Sequence, residues 1–269
     1  MRTRVVVFPF DLFGAGGSGA GAELLADELS EILADNRRET VETRASAYTD
    51  HVRIRRASFE TVEQYQSWRE QGRKLARQAL DDGDFLIWLS GNHLGCLPVY
   101  DVLSGQQPPP LVVQFDAHLD IHQFAGYSKE PSHGNFLLHC EKPLPPLINV
   151  GHRELLLTHG AIEQCYLAAH PAWDIRLDAV RRVSEEATGV VLDLDCDVFD
   201  AAFFPALARP VPFGLAPQEV LAVIEAIWSR KVRGLLISEF DPARDSDDRS
   251  LSTLIWLLEY LLLRNYETG

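Results

Sequence analysis

Two short apolar runs that each end in a cluster of acidic residues constrain the fold of this chain most strongly. The first covers residues 111–120 and reads LVVQFDAHLD, and the second covers residues 190–197 and reads VVLDLDCD. Apolar runs of this length are typical of strands that are covered on both faces of a sheet. Carboxylates at the end of a buried strand are unfavourable unless a positive charge neutralises them. The two runs therefore predict strand ends that share one countercharge.

Similar apolar runs alternate with helical stretches along the whole chain. We predict strands at residues 5–10, 85–89, 111–115, 147–150, 190–194 and 235–238, and helices near residues 22–34, 62–81, 177–188, 217–230 and 251–264. Strands that alternate with helices indicate βαβ units and a mostly parallel sheet. Because no linker or internal repeat divides the sequence, we predict a single domain over residues 1–269. Its expected class is α/β, a three-layer αβα sandwich around a mostly parallel central sheet.

Charge and composition exclude several classes of partner. With 39 acidic and 25 basic residues, the chain has a formal net charge of −14. A general basic surface for nucleic acid or an anionic membrane is therefore not expected. Asp, Arg or Pro interrupts every candidate membrane span, and the apolar run at the N-terminus is too short for a signal peptide. Four scattered cysteines without a C-x-x-C pair favour a reducing compartment, so we predict a cytoplasmic protein.

The acidic clusters have the spacing of ligands on one side of an extended segment. Alternate residues of such a segment project together, which groups Asp116 with His118 and Asp120, and groups Asp193 with Asp195 and Asp197. Carboxylates with some imidazole suit a hard or borderline divalent ion such as manganese or magnesium. Several shared carboxylates favour two ions about 3.5–4 Å apart. A single D-x-H-x-D segment would also fit a solvated turn, but two such strand ends favour a metal site.

An ordered set of motifs makes a family resemblance specific. The set consists of SGNHLG at residues 90–95, DAHLD at 116–120, SHGNF at 132–136, LDLDCD at 192–197 and SEFDP at 238–242. In order and approximate spacing it resembles the ureohydrolase superfamily, which contains arginases, agmatinases and formiminoglutamases. The resemblance extends from the first predicted strand to the last predicted helix, and it implies an arginase-like fold.

The resemblance also implies a binuclear hydrolase that cleaves a guanidino group to urea and an amine. The implied cofactors are two Mn²⁺ ions, although other divalent ions remain open. In this interpretation Asp116 and Asp193 bridge the two ions, and Asp197 has a supporting or helix-capping role. The implied ligands are His93, Asp116, His118, Asp120, Asp193 and Asp195.

Three residues receive catalytic roles from the same resemblance. Glu239 would pair with the guanidinium through two parallel hydrogen bonds, a geometry that carboxylates favour. Asp120 would pass a proton to the leaving amine. His133 would act as a proton shuttle, since imidazole titrates in the required range. The alternatives are a salt-bridge role for Glu239 and a loop position without chemistry for His133.

The sequence departs from the family where arginases read the amino-acid part of their substrate. The loop at residues 121–131 lacks the polar Asn/Thr/Ser-rich pattern, and the second acid of the GHRELL segment at 151–156 is replaced by Leu156. A site without these polar partners should discriminate poorly in favour of free arginine. We therefore predict that the substrate is arginine within a peptide, such as a precursor peptide, and that this arginine is converted to ornithine. The predicted substrate-binding residues are His122, Ser132, Asn135, Glu154 and Glu239.

Other interpretations stay open at this point. Free arginine, agmatine or another small guanidino compound would tolerate the same losses. A noncatalytic, metal-stabilised binding protein and an amide hydrolase of the histone-deacetylase type, with one zinc ion, are alternatives from other classes. The glycine-rich segment at residues 14–21 follows a strand and precedes a helix, but it lacks the ending of a P-loop, so a flexible helix entry is favoured over nucleotide binding. Family precedent favours a homo-oligomer.

Overall fold

A single eight-stranded sheet forms the centre of the protein in the computed structural model. The structure describes residues 2–267 with the exception of residues 15, 125–128 and 142. Every strand pairs with its neighbours in parallel, in the order β2-β1-β3-β8-β7-β4-β5-β6. The strands are β1 (Thr3–Phe8), β2 (Val52–Arg56), β3 (Phe85–Ser90), β4 (Leu111–Phe115), β5 (Leu147–His152), β6 (Ala168–Pro171), β7 (Val190–Asp195) and β8 (Val232–Ser238).

Helices cover both faces of this sheet and complete three layers, which confirms the predicted fold class. One core contains apolar residues of α1, α6, α7 and α8, and the other contains apolar residues of α3 and α4. Each central strand contributes alternate residues to the two cores because successive side chains point to opposite faces. The helices are α1 (Ser18–Arg38), α2 (Val62–Gln66), α3 (Trp68–Asp81), α4 (Leu97–Ser104), α5 (His159–Glu163), α6 (Leu177–Glu186), α7 (Pro217–Ile227) and α8 (Arg249–Glu267).

The elements that the sequence did not predict are short, lie at the sheet edges, or lack a helical pattern. Strand β2 is rich in arginine and mostly exposed, and β6 has only four residues, so neither forms the apolar run of a central strand. Helix α4 is buried on every side and therefore shows no amphipathic period. The predicted helix at residues 62–81 is divided at Ser67, which ends α2 and precedes α3.

The sheet topology determines where functional groups can meet. Strands β3, β8, β7 and β4 are consecutive in the sheet, although they come from distant parts of the chain. Because all are parallel, their carboxyl ends share one edge, which is where ligands bind in open sheets of this type. No helix in the described part of the chain combines the length and apolar character that crossing a membrane requires.

Candidate metal centre

One group of side chains surrounds the ring of His93, which follows β3 and is almost completely buried. Its Nδ1 atom lies 3.2 Å from Oδ2 of Asp116, 2.9 Å from Oδ2 of Asp120 and 3.0 Å from Oδ2 of Asp195. Despite these close contacts, Nδ1 has no hydrogen bond of acceptable geometry to any described residue. A ring nitrogen and three carboxylate oxygens that converge in this way fit a divalent cation between them. We refer to this group as the first centre.

A second group lies around His118, which follows β4. Its Nδ1 atom is 2.8 Å from Oδ2 of Asp197 and 3.7 Å from Oδ1 of Asp116. Asp116 therefore presents one carboxylate oxygen to His93 and the other to His118. This is the arrangement that a carboxylate bridging two ions requires. His118, Asp116 and Asp197 form the second centre, and their ligand atoms are close enough to hold an ion.

Asp193 lies outside the two centres defined above, although it forms another possible ligand group with His93 and Cys96, and the ligand role predicted for it stays a prediction. Its Oδ2 atom is 2.9 Å from Nε2 of His93, on the side of the ring away from the three carboxylates, and it accepts a hydrogen bond from the Tyr100 hydroxyl at 2.5 Å. The physical reason is the depth at which each residue of β7 lies beneath the helices that cover the sheet. Asp195 is the last residue of β7 and reaches the crevice, whereas Asp193 lies two residues earlier beneath α4. The acidic pair that faces the two histidines is consequently Asp195 and Asp197.

Burial and mutual repulsion perturb the titration of these groups. Burial, followed by the charges of Asp120 and Asp197, raises the pKa of Asp116 to about 8. The pKa of Asp195 is also raised well above its usual range, first by burial and then by Asp197. The charge of Asp197 raises the pKa of His118 to about 11. So many buried acids are unfavourable in their ionised form unless protons or cations neutralise them, so the chemistry of this cluster fits a metal site.

Left-handed backbone conformations occur at two residues of the site. Asp120 has a φ of 48° and Glu239 has a φ of 61°. Such conformations cost non-glycine residues free energy and persist where surrounding contacts hold them. The backbone N–H of Glu239 donates to the carbonyl of Gly91 at 2.9 Å, which joins the segment after β8 to the segment after β3. Strain at these two positions is consistent with a functional role.

Arg153 fixes the loop that carries Asp197. Its guanidinium is buried and donates to the backbone carbonyls of Gly151, Val198 and Asp197 at 2.9, 3.0 and 2.5 Å. The Asp197 carboxylate also accepts from the backbone N–H of Ala117 at 3.0 Å. These contacts connect the end of β7 to the ends of β4 and β5, so the second centre is held by backbone from three strands.

A small cavity opens beside both centres and contains the predicted catalytic residues. Its volume is about 110 Å³, and Glu239 and His133 lie on its wall. Oε1 of Glu239 accepts from the backbone N–H of His93 at 3.0 Å and lies 3.4 Å from Nδ1 of His133. Contact with Glu239 raises the pKa of His133 above its ordinary value. The lining residues are His118, Asp120, His122, His133, Gly134, Asp197, Leu207, Ala208, Arg209 and Glu239.

The predicted substrate-binding residues are only partly brought together. His122 and Glu239 line the cavity, whereas Ser132, Asn135 and Glu154 do not. Oδ1 of Asn135 accepts from the backbone N–H and the hydroxyl of Ser132 at 2.8 and 3.0 Å. Glu154 lies 2.7 Å from Nε2 of His122 and accepts from the backbone N–H of Leu156 at 2.5 Å. Residues 125–128 of the loop predicted to replace the amino-acid readers lie outside the described residues.

The glycine-rich segment at residues 14–21 leads into α1, and its residue 15 lies outside the described residues. Gly17 has a φ of 103° immediately before the helix begins. The backbone N–H of Gly19 is occupied by the Asp11 carboxylate at 3.1 Å, and the Ser18 hydroxyl donates to Oε2 of Glu239 at 3.5 Å. An acidic side chain thus occupies the place that a phosphate would need. The segment supports the position of Glu239.

Sequence reasoning assigned no role to Tyr100, Arg153 or Arg209, and it gave Asp197 a supporting role rather than a place among the ligands. Tyr100 lies on a helix that the pattern did not reveal. Arg209 follows a segment without regular structure, and nothing in its local sequence marks it as a cavity residue. The end of the apolar run at residue 194 was a usable signal for Asp197, because the acids beyond a strand end, rather than those within the strand, reach the crevice.

Comparisons with family models and with curated proteins identify relatives of this chain. The model of the arginase family matches residues 2–263. A formimidoylglutamase of Macrococcus caseolyticus is 33% identical over 100 residues, which cover 37% of this chain and 32% of the relative. An agmatinase of Bacillus subtilis is 25% identical over 195 residues, which cover 68% of this chain and 65% of the relative. The matches thus span from about a third to just under two thirds of these curated relatives.

Solved structures resemble the fold over nearly its whole length. An arginase from Bacillus subtilis superimposes with a TM-score of 0.75 at 20% identity, and the match covers 97% of this chain and 98% of that protein. At this identity the likeness concerns the fold alone. The family match covers almost all of the sequence, including every residue of both centres, and on that basis the chain belongs to the arginase family.

Proposed function

We propose that the protein is a binuclear metal hydrolase that cleaves the C–N bond of a guanidino group and releases urea and an amine. The observation that carries this proposal is the position of Asp116, whose two carboxylate oxygens face two different histidines. The proposed ligands of the first ion are His93, Asp116, Asp120 and Asp195. The proposed ligands of the second ion are Asp116, His118, Asp195 and Asp197.

The donor set fits two hard or borderline divalent ions, and manganese is our proposal. It consists of carboxylate oxygens and two imidazole nitrogens, which suit manganese better than thiolate-preferring metals. When bound, such ions lower the pKa of water and supply a nucleophile near neutral pH. Cys96 lies near His93 and Asp193, but all four cysteines are free, and none belongs to the two centres.

Glu239 orients the substrate in this proposal. Its carboxylate lies on the cavity wall, and the backbone N–H of His93 fixes one of its oxygens. A carboxylate in this position can receive two parallel hydrogen bonds from a guanidinium, which directs the guanidinium carbon toward the centres. Because the same residue contacts His133, substrate binding and proton transfer would take place on one wall of the cavity.

His133 and Asp120 would handle the protons. His133 lines the cavity and is only partly buried, so it can exchange protons between the site and bulk water. Asp120 lines the same cavity between His93 and the substrate space, where it would deliver a proton to the leaving amine. Asp193 has a positioning role: it holds the Nε2 side of His93 so that Nδ1 faces the first centre.

We propose arginine within a peptide as the substrate. The cavity has a volume of about 110 Å³, and the carboxylate of Glu239 on its wall suits a guanidino head. Glu154, the remaining acid of the GHRELL segment, is already bound by His122 and backbone N–H groups, and Leu156 is largely exposed. Neither residue is positioned to select the α-amino group of free arginine.

A small guanidino compound is the second candidate. Relatives with this fold include an agmatinase and a formimidoylglutamase, whose names describe small amidino substrates. A free substrate of this kind would also place only its head in the cavity. The predicted cytoplasmic location, the homo-oligomer and the single domain stay predictions.

The proposal is tested by mass spectrometry and urea assay on manganese-loaded protein. The substrates are free arginine, agmatine and a peptide with blocked ends that contains one arginine. We expect the arginine of the peptide to be converted to ornithine, with one molecule of urea released for each ornithine formed. Conversion of free arginine alone would contradict the peptide assignment. Failure with all three substrates, at full metal occupancy, would contradict the proposed guanidino hydrolase activity.

Glu239→Gln is the matched control for this experiment. The amide keeps an oxygen acceptor for the backbone N–H of His93, so the fold and both centres should persist. Metal content equal to that of the unmodified protein, together with loss of urea release, would assign the activity to this site. Urea release that survives in this variant would point to a contaminating enzyme.

A further inference from the structure

Arg209 is a positively charged residue on the wall of the cavity, whose other titratable lining residues are three acids and three histidines. The cavity also contains Asp120, Asp197 and Glu239. In the part of the chain that the structure describes, no hydrogen bond or ion pair engages the Arg209 guanidinium. Acidic residues outnumber basic ones 39 to 25 in this chain, so an arginine beside such a cavity without an acidic partner needs an explanation.

The backbone on both sides of Arg209 is anchored to the protein interior. Ala206 accepts from the backbone N–H of Asp241 at 3.0 Å, and its own N–H donates to the Ser250 hydroxyl at 3.3 Å. Leu207 belongs to the main hydrophobic core. Beyond Arg209, the carbonyl of Val211 accepts from the Arg153 guanidinium at 3.3 Å. The exposed side chain of Arg209 therefore extends from a fixed loop.

The charges along the cavity change sign from its inner to its outer part. The inner part contains the carboxylate of Glu239, which suits a cationic guanidinium. Arg209 lines the same cavity and is exposed to solvent, so it lies at the cavity mouth, and its charge also acts on His133. A guanidinium at this place attracts a carboxylate and repels a second cation.

We propose that Arg209 binds a carboxylate of the substrate, and that this carboxylate lies a short distance from the substrate's guanidino group. This inference rests on the proposed function and names its substrate class. Such a substrate places a guanidino group inside the cavity and an acidic group at the cavity mouth. In a peptide the carboxylate belongs either to an acidic side chain next to the arginine or to a C-terminal arginine itself. The forked guanidinium of arginine suits either carboxylate through paired hydrogen bonds. Agmatine, with an amine in that place, is disfavoured.

The test compares four peptides with a blocked N-terminus that differ only at the group that follows the arginine. The first carries a neutral amide after the arginine, the second an aspartate, the third the free α-carboxylate of the arginine, and the fourth a lysine. Initial rates of urea release give kcat/KM for each peptide with the manganese-loaded protein. We expect the two acidic peptides to exceed the neutral one about tenfold and the lysine peptide to fall below it. The aspartate and α-carboxylate peptides separate the two sources of the carboxylate.

Variants of Arg209 assign the preference to this side chain. Arg209→Gln should turn over the neutral peptide and lose the preference for acidic ones, whereas Arg209→Lys should keep part of it. Arg182→Gln removes the same charge from an exposed position on α6 and should retain the full preference. Since Arg209 also acts on His133, the ratio of acidic to neutral substrate within each variant is the quantity to compare.

Two results would overturn the inference. One is equal turnover of acidic and neutral peptides by the unmodified protein. The other is an acidic preference that survives in Arg209→Gln. Both outcomes include urea release from the neutral peptide, so they differ from failure of the proposed function, in which no guanidino compound releases urea.

Discussion

The Nε2 atom of His93 lies 2.9 Å from a carboxylate oxygen of Asp193, and the same oxygen accepts the Tyr100 hydroxyl hydrogen bond. When a cation occupies the first centre, this pair would place the ring proton on Nε2. With Nε2–H donating to Asp193, the lone pair of Nδ1 faces the three carboxylates of the first centre. Carboxylates that hold a metal-binding histidine in this way orient the ring and increase its basicity.

Asp193→Asn should weaken metal binding without changing its stoichiometry. The amide is a poorer partner for Nε2–H, so we expect the affinity for the first ion to fall about 10- to 100-fold. Titration calorimetry with Mn²⁺ measures this change, and metal analysis at saturating concentration should still give two ions per chain. A stoichiometry of one at saturation would mean that Asp193 is itself a ligand.

Asp197→Asn should remove the second ion and leave the first. Asp197 supplies a carboxylate oxygen to the second centre at 2.8 Å from His118 and makes no close contact with His93. Metal analysis after gel filtration should give about one ion per chain if the proposed ligand sets are right. Retention of both ions would return Asp197 to the supporting role that the sequence first indicated.

Glycine at position 21 should be required for stability. A Cβ at Gly21 would overlap the carbonyl oxygen of Phe240, the residue next to Glu239, where α1 packs against the segment after β8. We expect Gly21→Ala to lower the free energy of unfolding by about 1–3 kcal/mol, as overpacking typically does. Gly160→Ala is the control, because a Cβ at Gly160 meets nothing within 4 Å. Equal urea-denaturation midpoints for the two variants would contradict this account.

The metal-depleted protein should lose stability as the pH falls below neutral, partly through His152 and His170. Burial lowers the pKa of both rings, and His170 is affected further by the charge of Arg176. The unfolded chain therefore binds protons first, and stability declines below the ordinary histidine pKa of about 6.5. Each histidine contributes at most about 1.4 kcal/mol per pH unit. His170→Gln should make denaturation curves at pH 5.5 and 7.5 more alike than in the unmodified protein.

The central strands could be predicted because they are buried on both faces. Strands β1, β3, β4, β5, β7 and β8 all contain apolar runs that solvent-facing strands do not have. The edge strand β2, with the sequence VRIRR, buries little besides Val52. Its position depends on pairing with β1, which no local pattern reports. The limits of sequence reasoning therefore lie at the edges of the sheet.

The site was predictable in its residue types and less so in its geometry. Asp116, His118 and Asp120 were predicted together from their alternate spacing, although in the structure they follow β4 in a segment with bends and a left-handed φ at Asp120. Three acids at alternate positions after residue 192 left the choice of pair open, and the choice depends on the depth at which β7 ends beneath α4. How deeply a residue lies beneath a helix depends on tertiary packing, which a local sequence pattern does not show. The positions of Tyr100 and Arg209 depend on tertiary packing in the same way.

Strand β8 is the last strand in chain order among the described residues, yet it lies between β3 and β7 in the middle of the sheet. Until the ribosome has synthesised residues 232–238, a nascent chain has two separate ribbons whose inner edges lack a partner. His93 belongs to one ribbon, and Asp116 and Asp195 belong to the other. The two halves of the first centre can meet only when β8 inserts between them, so cation capture would come after residues 232–238 have been synthesised.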